Sequence, residues 1–256
     1  MSKSIDNEVL KHETRANEKT LANRQRLLQL FENSPLPTDQ LLVNLGLYMR
    51  SSALTKILYI HELYQLIRDV PGVIIEFGVW WGQNLALYEN LRAIYEPFNA
   101  ERRIIGFDTF EGYTELSDQD KRSAVITPGG HSVGVGYEAH LEEMLDYHER
   151  ENVLYHQRKF SLIKGDVTRT FGEYLTEHPE TIVSLAYFDM ALYEPTKFCL
   201  EAIRPHLVPG SVLAMDELNS PMCPGETVAF REVFGSTGYE IRNSRIMPGR
   251  SLVIIK

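Results

Sequence analysis

Three acidic residues stand where the sequence could do chemistry: Asp189, and the adjacent pair Asp216-Glu217. Each follows an apolar run. Thr181–Phe188 stops at Asp189 and Ser211–Met215 stops at Asp216. Such runs predict strands buried on both faces, so the acids are delivered to one edge of a sheet. Twenty-seven residues separate Asp189 from Asp216, enough for one helical crossover between neighbouring parallel strands, so the acids are expected to converge. Converging carboxylates repel one another unless a cation neutralises them or one takes a proton. All-oxygen donors suit a hard divalent ion, magnesium first and calcium second, and no histidine or thiolate adjoins them to favour zinc. Such an ion could grip two vicinal hydroxyls of an acceptor and acidify one for attack on an electrophilic methyl group, with Asp189 taking the proton. The competing reading is that the acids cap helices and face solvent.

A second group of residues suits a nucleoside-bearing cofactor. Val73-Ile74-Ile75 predicts a buried strand ended by Glu76, two glycines follow at Gly78 and Gly82, and Leu85, Tyr88, Leu91 and Tyr95 then recur at helical spacing. Glycine at a strand-to-helix turn permits close approach to a ligand, and the helix N-terminus behind it favours an anionic group. The strand Arg103–Phe107 ends at Asp108, thirty residues after Gly78, where an acid can accept bonds from ribose hydroxyls or simply cap the turn that follows. Phe160–Ile163 leads to Lys164-Gly165-Asp166 and a helix from about Arg169 to Glu177. Asp166 either reads an adenine amino group or caps that helix.

These groups need a frame. Five strands ending near an acid or a glycine predict a parallel α/β sheet that binds ligands at its carboxyl edge. A helix at Pro224–Phe234 and two strands, Tyr239–Arg242 and Ser251–Ile255, joined through Met247-Pro248-Gly249-Arg250, add an antiparallel hairpin. The expectation is a Rossmann-like seven-stranded sheet of the class I methyltransferase type. Before it, residues 1–67 read as a helical arm or cap: an intermittently apolar stretch through Phe31, a break at Ser34–Pro37, capping by Thr38 or Asp39, then a helical pattern from Leu41 to Ile67. That arm suits pocket covering or oligomerisation. Residues 68–256 form the catalytic domain, with a glycine-rich cover at about 113–140 that includes Gly129, Gly130 and His131. No Gly-Lys-Ser/Thr follows those glycines, which excludes a phosphate-binding P-loop. His131 and His140 read as surface or capping residues.

The 256 residues carry a formal net charge of −9 and only two cysteines, Cys199 and Cys223, without CxxC spacing. An acidic chain with no basic cluster argues against nucleic-acid binding, and the cysteine count argues against structural zinc or disulfide stapling. With no long apolar run or secretion signal, the expectation is a cytoplasmic protein without membrane spans.

At this point the residues resemble a known family. Ile75-Glu76-Phe77-Gly78-Val79-Trp80-Trp81-Gly82, Gly106-Phe107-Asp108-Thr109-Phe110-Glu111-Gly112, Leu192-Tyr193-Glu194-Pro195-Thr196 and Met215-Asp216-Glu217 are similar to motifs of the macrocin O-methyltransferase-like sugar O-methyltransferases of antibiotic biosynthesis. The resemblance runs from about residue 45 to the C-terminus. It implies S-adenosylmethionine as donor, surrounded by Glu76, Gly78, Gly82 and Asp108, with Asp108 on the ribose. It also implies a divalent metal on Asp189, Asp216 and Glu217. The acceptor would be a 6-deoxyhexose hydroxyl, often the 3-hydroxyl, on a nucleotide sugar or a glycoside, and the assembly a homo-oligomer. Two positions depart from the family pattern: Ala191 where a second aspartate is usual, and Glu217 where an Asp-Asp pair is usual. Rival expectations are a catechol-type aromatic O-methyltransferase, an NAD-dependent oxidoreductase and a binding protein without catalysis.

Overall fold

The computed structural model describes residues 17–113, 116–120, 126–127 and 129–256. The chain divides into two compact units, one ending at Lys56 and one running from Ile57 to Lys256. The first sixteen residues of the expected arm, Leu10 among them, lie outside the described residues. Helix α1 (Glu18–Glu32) is capped by Asn17, whose side chain accepts from the Thr20 amide at 2.9 Å. Helix α2 (Thr38–Val43) begins after Pro37 without a side-chain cap, so neither Thr38 nor Asp39 caps it.

The helical pattern expected to be continuous from Leu41 to Ile67 is broken. Asn44 turns its Nδ2 back onto the Gln40 carbonyl at 2.8 Å and ends α2. One 3₁₀ turn, Leu45–Tyr48, follows before helix α3 (Ser51–Ile67) begins. An asparagine side chain competes for backbone carbonyls, and Gly46 beside it weakens any helix carried through.

The second unit is built on seven strands: β1 (Val73–Phe77), β2 (Ile104–Asp108), β3 (Phe160–Lys164), β4 (Val183–Phe188), β5 (Leu207–Met215), β6 (Tyr239–Asn243) and β7 (Ser251–Ile255). Their order across the sheet is β3-β2-β1-β4-β5-β7-β6, with β1 to β5 parallel and β7 antiparallel to both of its neighbours. The expected terminal hairpin on a five-strand parallel core is present. Central β1 and β4 are buried at every residue, as their continuous apolar runs require. Helices α4 (Gln83–Tyr95) and α5 (Tyr137–Arg150) join α3 on one face of the sheet; α6 (Val167–Glu177), α7 (Tyr193–Ile203) and α8 (Pro224–Phe234) cover the other. Two runs are longer than the sequence suggests: α6 starts at Val167 and β5 at Leu207.

Register is fixed at the amino edge of the sheet by a buried cation. The β1–β4 pairing shifts at Ser184, whose hydroxyl donates to the Val73 carbonyl at 2.8 Å and accepts from Arg102 at 2.7 Å. Arg102 is only 2% exposed, and it also donates to the carbonyls of Ile67, Val70 and Gly72 and to Glu96. Satisfying the guanidinium donors offsets the desolvation of this charge, and one side chain ties the end of α3 to the starts of β1 and β4.

Between β2 and α5 the described residues form no α-helix or strand; residues 114–115, 121–125 and 128 of the expected cover lie outside the described residues. The end of the segment expected to reach residue 140 is instead the first turn of α5. No helix among the described residues is long and apolar enough to cross a membrane.

Candidate active site

Strand register brings the predicted residues into a row. Phe107, Phe77, Phe188 and Met215 are partners across β2, β1, β4 and β5. The residues after them are Asp108, Gly78, Asp189 and Asp216. Backbone bonds continue the ladder one step further: Gly78 N to Phe107 O at 3.0 Å, Asp189 N to Phe77 O at 2.9 Å and Asp216 N to Phe188 O at 3.1 Å. Four candidate residues therefore stand side by side at the carboxyl edge.

The glycines answer first to their own protein. Gly78 has φ +90°, and a Cβ there would meet the Asp189 carbonyl oxygen at 2.3 Å. Gly82 has φ +75°, and a Cβ there would meet the Leu141 side chain at 2.3 Å. Any larger residue at Gly78 would push the glycine turn away from the end of β4.

Beside the glycine turn, the Asp108 carboxylate accepts from the Trp80 amide at 2.7 Å through one oxygen and from the Phe110 amide at 2.6 Å through the other. It caps its own turn, as one reading foresaw, and it also clamps the glycine turn, in which Trp80 has φ +50°. Glu76 is buried and accepts from Asn84 Nδ2 at 2.6 Å, which joins the end of β1 to the first turn of α4. Asp166 is exposed and caps α6 by accepting from the Thr168 amide at 2.9 Å.

At the ends of β4 and β5, Asp189 is exposed and Asp216 is buried. Asp216 accepts from the Tyr187 hydroxyl at 2.7 Å and pairs with Arg250, which also donates to the Asp216 carbonyl at 2.8 Å. Arg250 arrives by register: Met215 pairs with Ser251 across the antiparallel β5–β7 ladder, so Asp216 and Arg250 face each other one step on. Glu217 is half-buried; burial and the neighbouring Asp216 charge raise its pKa. Its amide donates to Glu226 Oε1 at 2.9 Å. Glu226, at 0% exposed, has its Oε2 buried without a hydrogen-bond partner, and burial together with Asp216, Asp189 and Glu217 pushes its carboxyl well above the ordinary range. Burial and the same four acids push the Cys223 thiol up to about 12, so it is held as a neutral thiol.

The segment between β2 and α5 reaches this end of the site. Tyr113 packs with Ile126, Ala191, Leu192 and Cys223, and burial followed by the Asp189 charge raises its hydroxyl pKa. Asp120, itself buried, accepts from the Ser117 amide at 3.0 Å and the Ser117 hydroxyl at 2.6 Å, and from the Tyr193 amide at the start of α7 at 2.9 Å. His131 lies against Trp80 and Tyr113, with ring centroids 5.7 and 5.2 Å away, and His140 against Tyr137 at 5.8 Å.

The acids fit a hard cation in donor type, and the buried Oε2 of Glu226 is an oxygen in want of a partner. Among the described residues, however, no group of three or more His, Cys, Asp and Glu side chains is arranged to hold a metal ion. Sequence reasoning missed Tyr187, Glu226, Arg250 and Asp120. Each comes to the site through a crossover, a helix packing or a hairpin register that leaves no local mark in the sequence.

The description of the macrocin-O-methyltransferase (TylF) family matches residues 57–237. A curated relative from Streptomyces olivaceus, 8-demethyl-8-(2,3-dimethoxy-alpha-L-rhamnosyl)-tetracenomycin-C 4'-O-methyltransferase, is 26% identical over 171 residues, 66% of this chain and 62% of that protein. This chain thus spans less than two thirds of that relative's length. The crystal structure of CalS11, a calicheamicin methyltransferase, shares 42% identity over 99% of both chains with a TM-score of 0.90. An apo structure of CalS11, described as a TDP-rhamnose 3'-O-methyltransferase, shares 41% identity over 94% of this chain and 96% of its own, with a TM-score of 0.82. The O-methyltransferase NovP, 18% identical with a TM-score of 0.52, shares the fold. On the family match, the strand order and the row of acids beside the glycine turn, this chain belongs to the macrocin O-methyltransferase family.

Proposed function

We propose that the protein transfers the methyl group of S-adenosylmethionine to a hydroxyl of a nucleotide-linked 6-deoxyhexose of the rhamnose type, within natural-product biosynthesis. The observation that carries this reading is the joint between the two halves of the site. Asp189 is bonded to Phe77 O, and its carbonyl sits against the Gly78 Cα, so the acceptor-side acid abuts the donor turn with no residue between. The 42% identity to CalS11 over nearly the whole chain favours the 3-hydroxyl; the curated relative, at 26%, is named for a 4'-hydroxyl.

In this reading Asp108 holds the Trp80 turn in shape and presents its remaining acceptor capacity to the donor ribose, with Glu76 beneath the amino-acid end. Asp166, already capping α6, presents its carboxylate to the adenine edge. The donor supplies an electrophilic methyl: its carbon–sulfur bond breaks with the electron pair left on sulfur as the new oxygen–carbon bond forms. Asp189 takes the proton released by the acceptor hydroxyl. Asp189, Asp216 and Glu217 would hold a divalent ion, magnesium, which when bound would supply Lewis acidity. The residues around Tyr113 and Asp120 close over the acceptor side and exclude water. The arm's exposed apolar residues, including Leu28, Leu42, Val43 and Leu47, support its use as a contact between copies of the chain.

The test is mass spectrometry of the protein with isotopically labelled methyl donor and a panel of nucleotide-linked 6-deoxyhexoses and catechols, with and without EDTA. A single labelled methyl on a sugar is expected, lost after EDTA. Methylation of catechols alone, or binding of NAD with none of S-adenosylhomocysteine, would overturn the reading, and a rate indifferent to EDTA would remove the metal from it.

A further inference from the structure

We propose that the apolar cluster beside Asp189 is a specificity-determining wall, which receives the C5-methyl group of a 6-deoxyhexose and disfavours the same sugar carrying a 6-hydroxyl. The inference rests on the sugar reading above and deepens it. Among the described residues the buried members of the cluster are Ile126, Ala191, Leu192 and Cys223, with half-buried Tyr113 and Leu116 packed against them. The cluster is separate from the two apolar cores on the faces of the sheet. Its members come from the segment after β2, the turn after β4 and the loop after β5, all of which leave the carboxyl edge. Packing of the sheet does not require apolar side chains there.

Position ties the cluster to the chemistry. Ala191 and Leu192 are the second and third residues after Asp189, and the Leu192 amide donates to the Met190 carbonyl at 2.7 Å. The chain therefore turns at once and sets an apolar surface beside the exposed acid. The Asp120 carboxylate bonds both Ser117 and the Tyr193 amide, next after Leu192, and so holds the segment after β2 against this turn. Ala191 has φ +60°, a backbone conformation that asparagine and aspartate adopt more readily than alanine. Backbone preference thus does not explain an alanine here, whereas a demand for an apolar side chain does. A ligand matched to this surface carries a hydroxyl on one edge and an apolar group on another. A 6-deoxyhexose does so: a ring hydroxyl meets Asp189 while the C5-methyl lies on the wall. A hydroxymethyl group in its place would bury an oxygen among apolar side chains without a partner. Discrimination of about 10- to 100-fold follows, the range in which an apolar pocket rejects an added hydroxyl.

The measurement is kcat/KM of the purified full-length protein for two nucleotide-linked sugars that differ only in a 6-hydroxyl, for wild type, A191N and C223S, with the Kd for S-adenosylhomocysteine followed alongside. A191N suits the left-handed backbone and places an amide in the wall; C223S is nearly isosteric and adds a hydroxyl. Wild type should favour the 6-deoxy sugar by about 10- to 100-fold, and each variant should lower that ratio by about three- to tenfold with donor affinity near wild type. The ratio decides, because a variant that only loosens the segment after β2 lowers turnover of both sugars alike. Should A191N fail to fold, judged by its melting transition, C223S decides alone. Equal kcat/KM for the two sugars in wild type, or a ratio unmoved in the variants, overturns this proposal and leaves the sugar reading standing. Methyl transfer to neither sugar overturns both.

Discussion

At the scale of single residues, the two sides of the site make separable predictions. Asp189 is exposed at the strand end, and its amide bond to Phe77 O is one that Asp189→Ala keeps. Asp189→Ala should lower kcat by about 10²–10⁴-fold, the usual worth of a positioned base, while the Kd for S-adenosylhomocysteine measured by calorimetry stays near wild type. Asp108→Ala should do the reverse. It leaves the Trp80 and Phe110 amides without their acceptors and would remove the proposed ribose contact, so the same Kd should weaken by about 10- to 100-fold. Asp108→Asn keeps one carbonyl acceptor and should fall between. The two acids occupy one row of the sheet, yet the sequence alone could not separate capping from binding at Asp108 or at Asp166. In the structure both carboxylates cap backbone amides, an arrangement compatible with further acceptance from a ligand because each oxygen has two lone pairs.

At the scale of elements, the segment between β2 and α5, the proposed cover, is tied to α7 by one buried carboxylate. Asp120 meets Ser117 within the cover and the Tyr193 amide outside it, and a Cβ on Gly225 at the start of α8 would come within 2.6 Å of its Oδ1. Asp120→Ala should therefore expose residues 113–136 to limited proteolysis and raise the acceptor KM by about tenfold, with donor affinity little changed. The sequence showed where this cover begins and how polar it is, but a lone aspartate amid polar residues carries no sign of what it will bind. The break at Asn44 teaches the same lesson. Apolar spacing from Leu41 to Ile67 is helical throughout, and the folded-back amide on the Gln40 carbonyl, with the 3₁₀ turn at Leu45–Tyr48, divides it.

For the whole molecule, buried charge on the α3–α5 side of the sheet sets how stability responds to pH. Glu149 pairs with Arg92 at 2.9 Å and with Lys159, while neighbouring Glu89 is fully buried with neither carboxylate oxygen hydrogen-bonded. Burial pushes the Glu89 carboxyl from 4.5 to about 8, with Arg92 opposing. A carboxyl raised in the folded state gives its full stability below the unfolded value of 4.5 and loses it as pH rises toward 8. Between pH 5 and pH 8 the loss is of the order of 2–4 kcal/mol. Glu89→Gln should remove that pH-dependent loss: thermal melts should place the variant above wild type at pH 8 and close to it at pH 5. An equal offset at both pH values would mean that Glu89 is ionised in the fold.

The sequence by itself determined the elements and the kind of site. Continuous apolar runs require buried parallel strands, and the residues that end them, Gly78, Asp108, Asp189 and Asp216, had to lie at the carboxyl edge because the runs stop there. It also carried the family motifs that the comparisons bear out. Tertiary structure alone decided which of these residues are neighbours and what charge they meet. The row from Asp108 to Asp216 depends on the register of four strands, which Ser184 and Arg102 help fix at the opposite edge. The meeting of Arg250 with Asp216 depends on how the terminal hairpin docks, and the burial of Glu226 depends on how α8 packs. Hydrophobic periodicity is a local property and can be read along a chain. Register, desolvation and the pairing of distant charges are sums over residues far apart in sequence, and they exist only once the chain has folded.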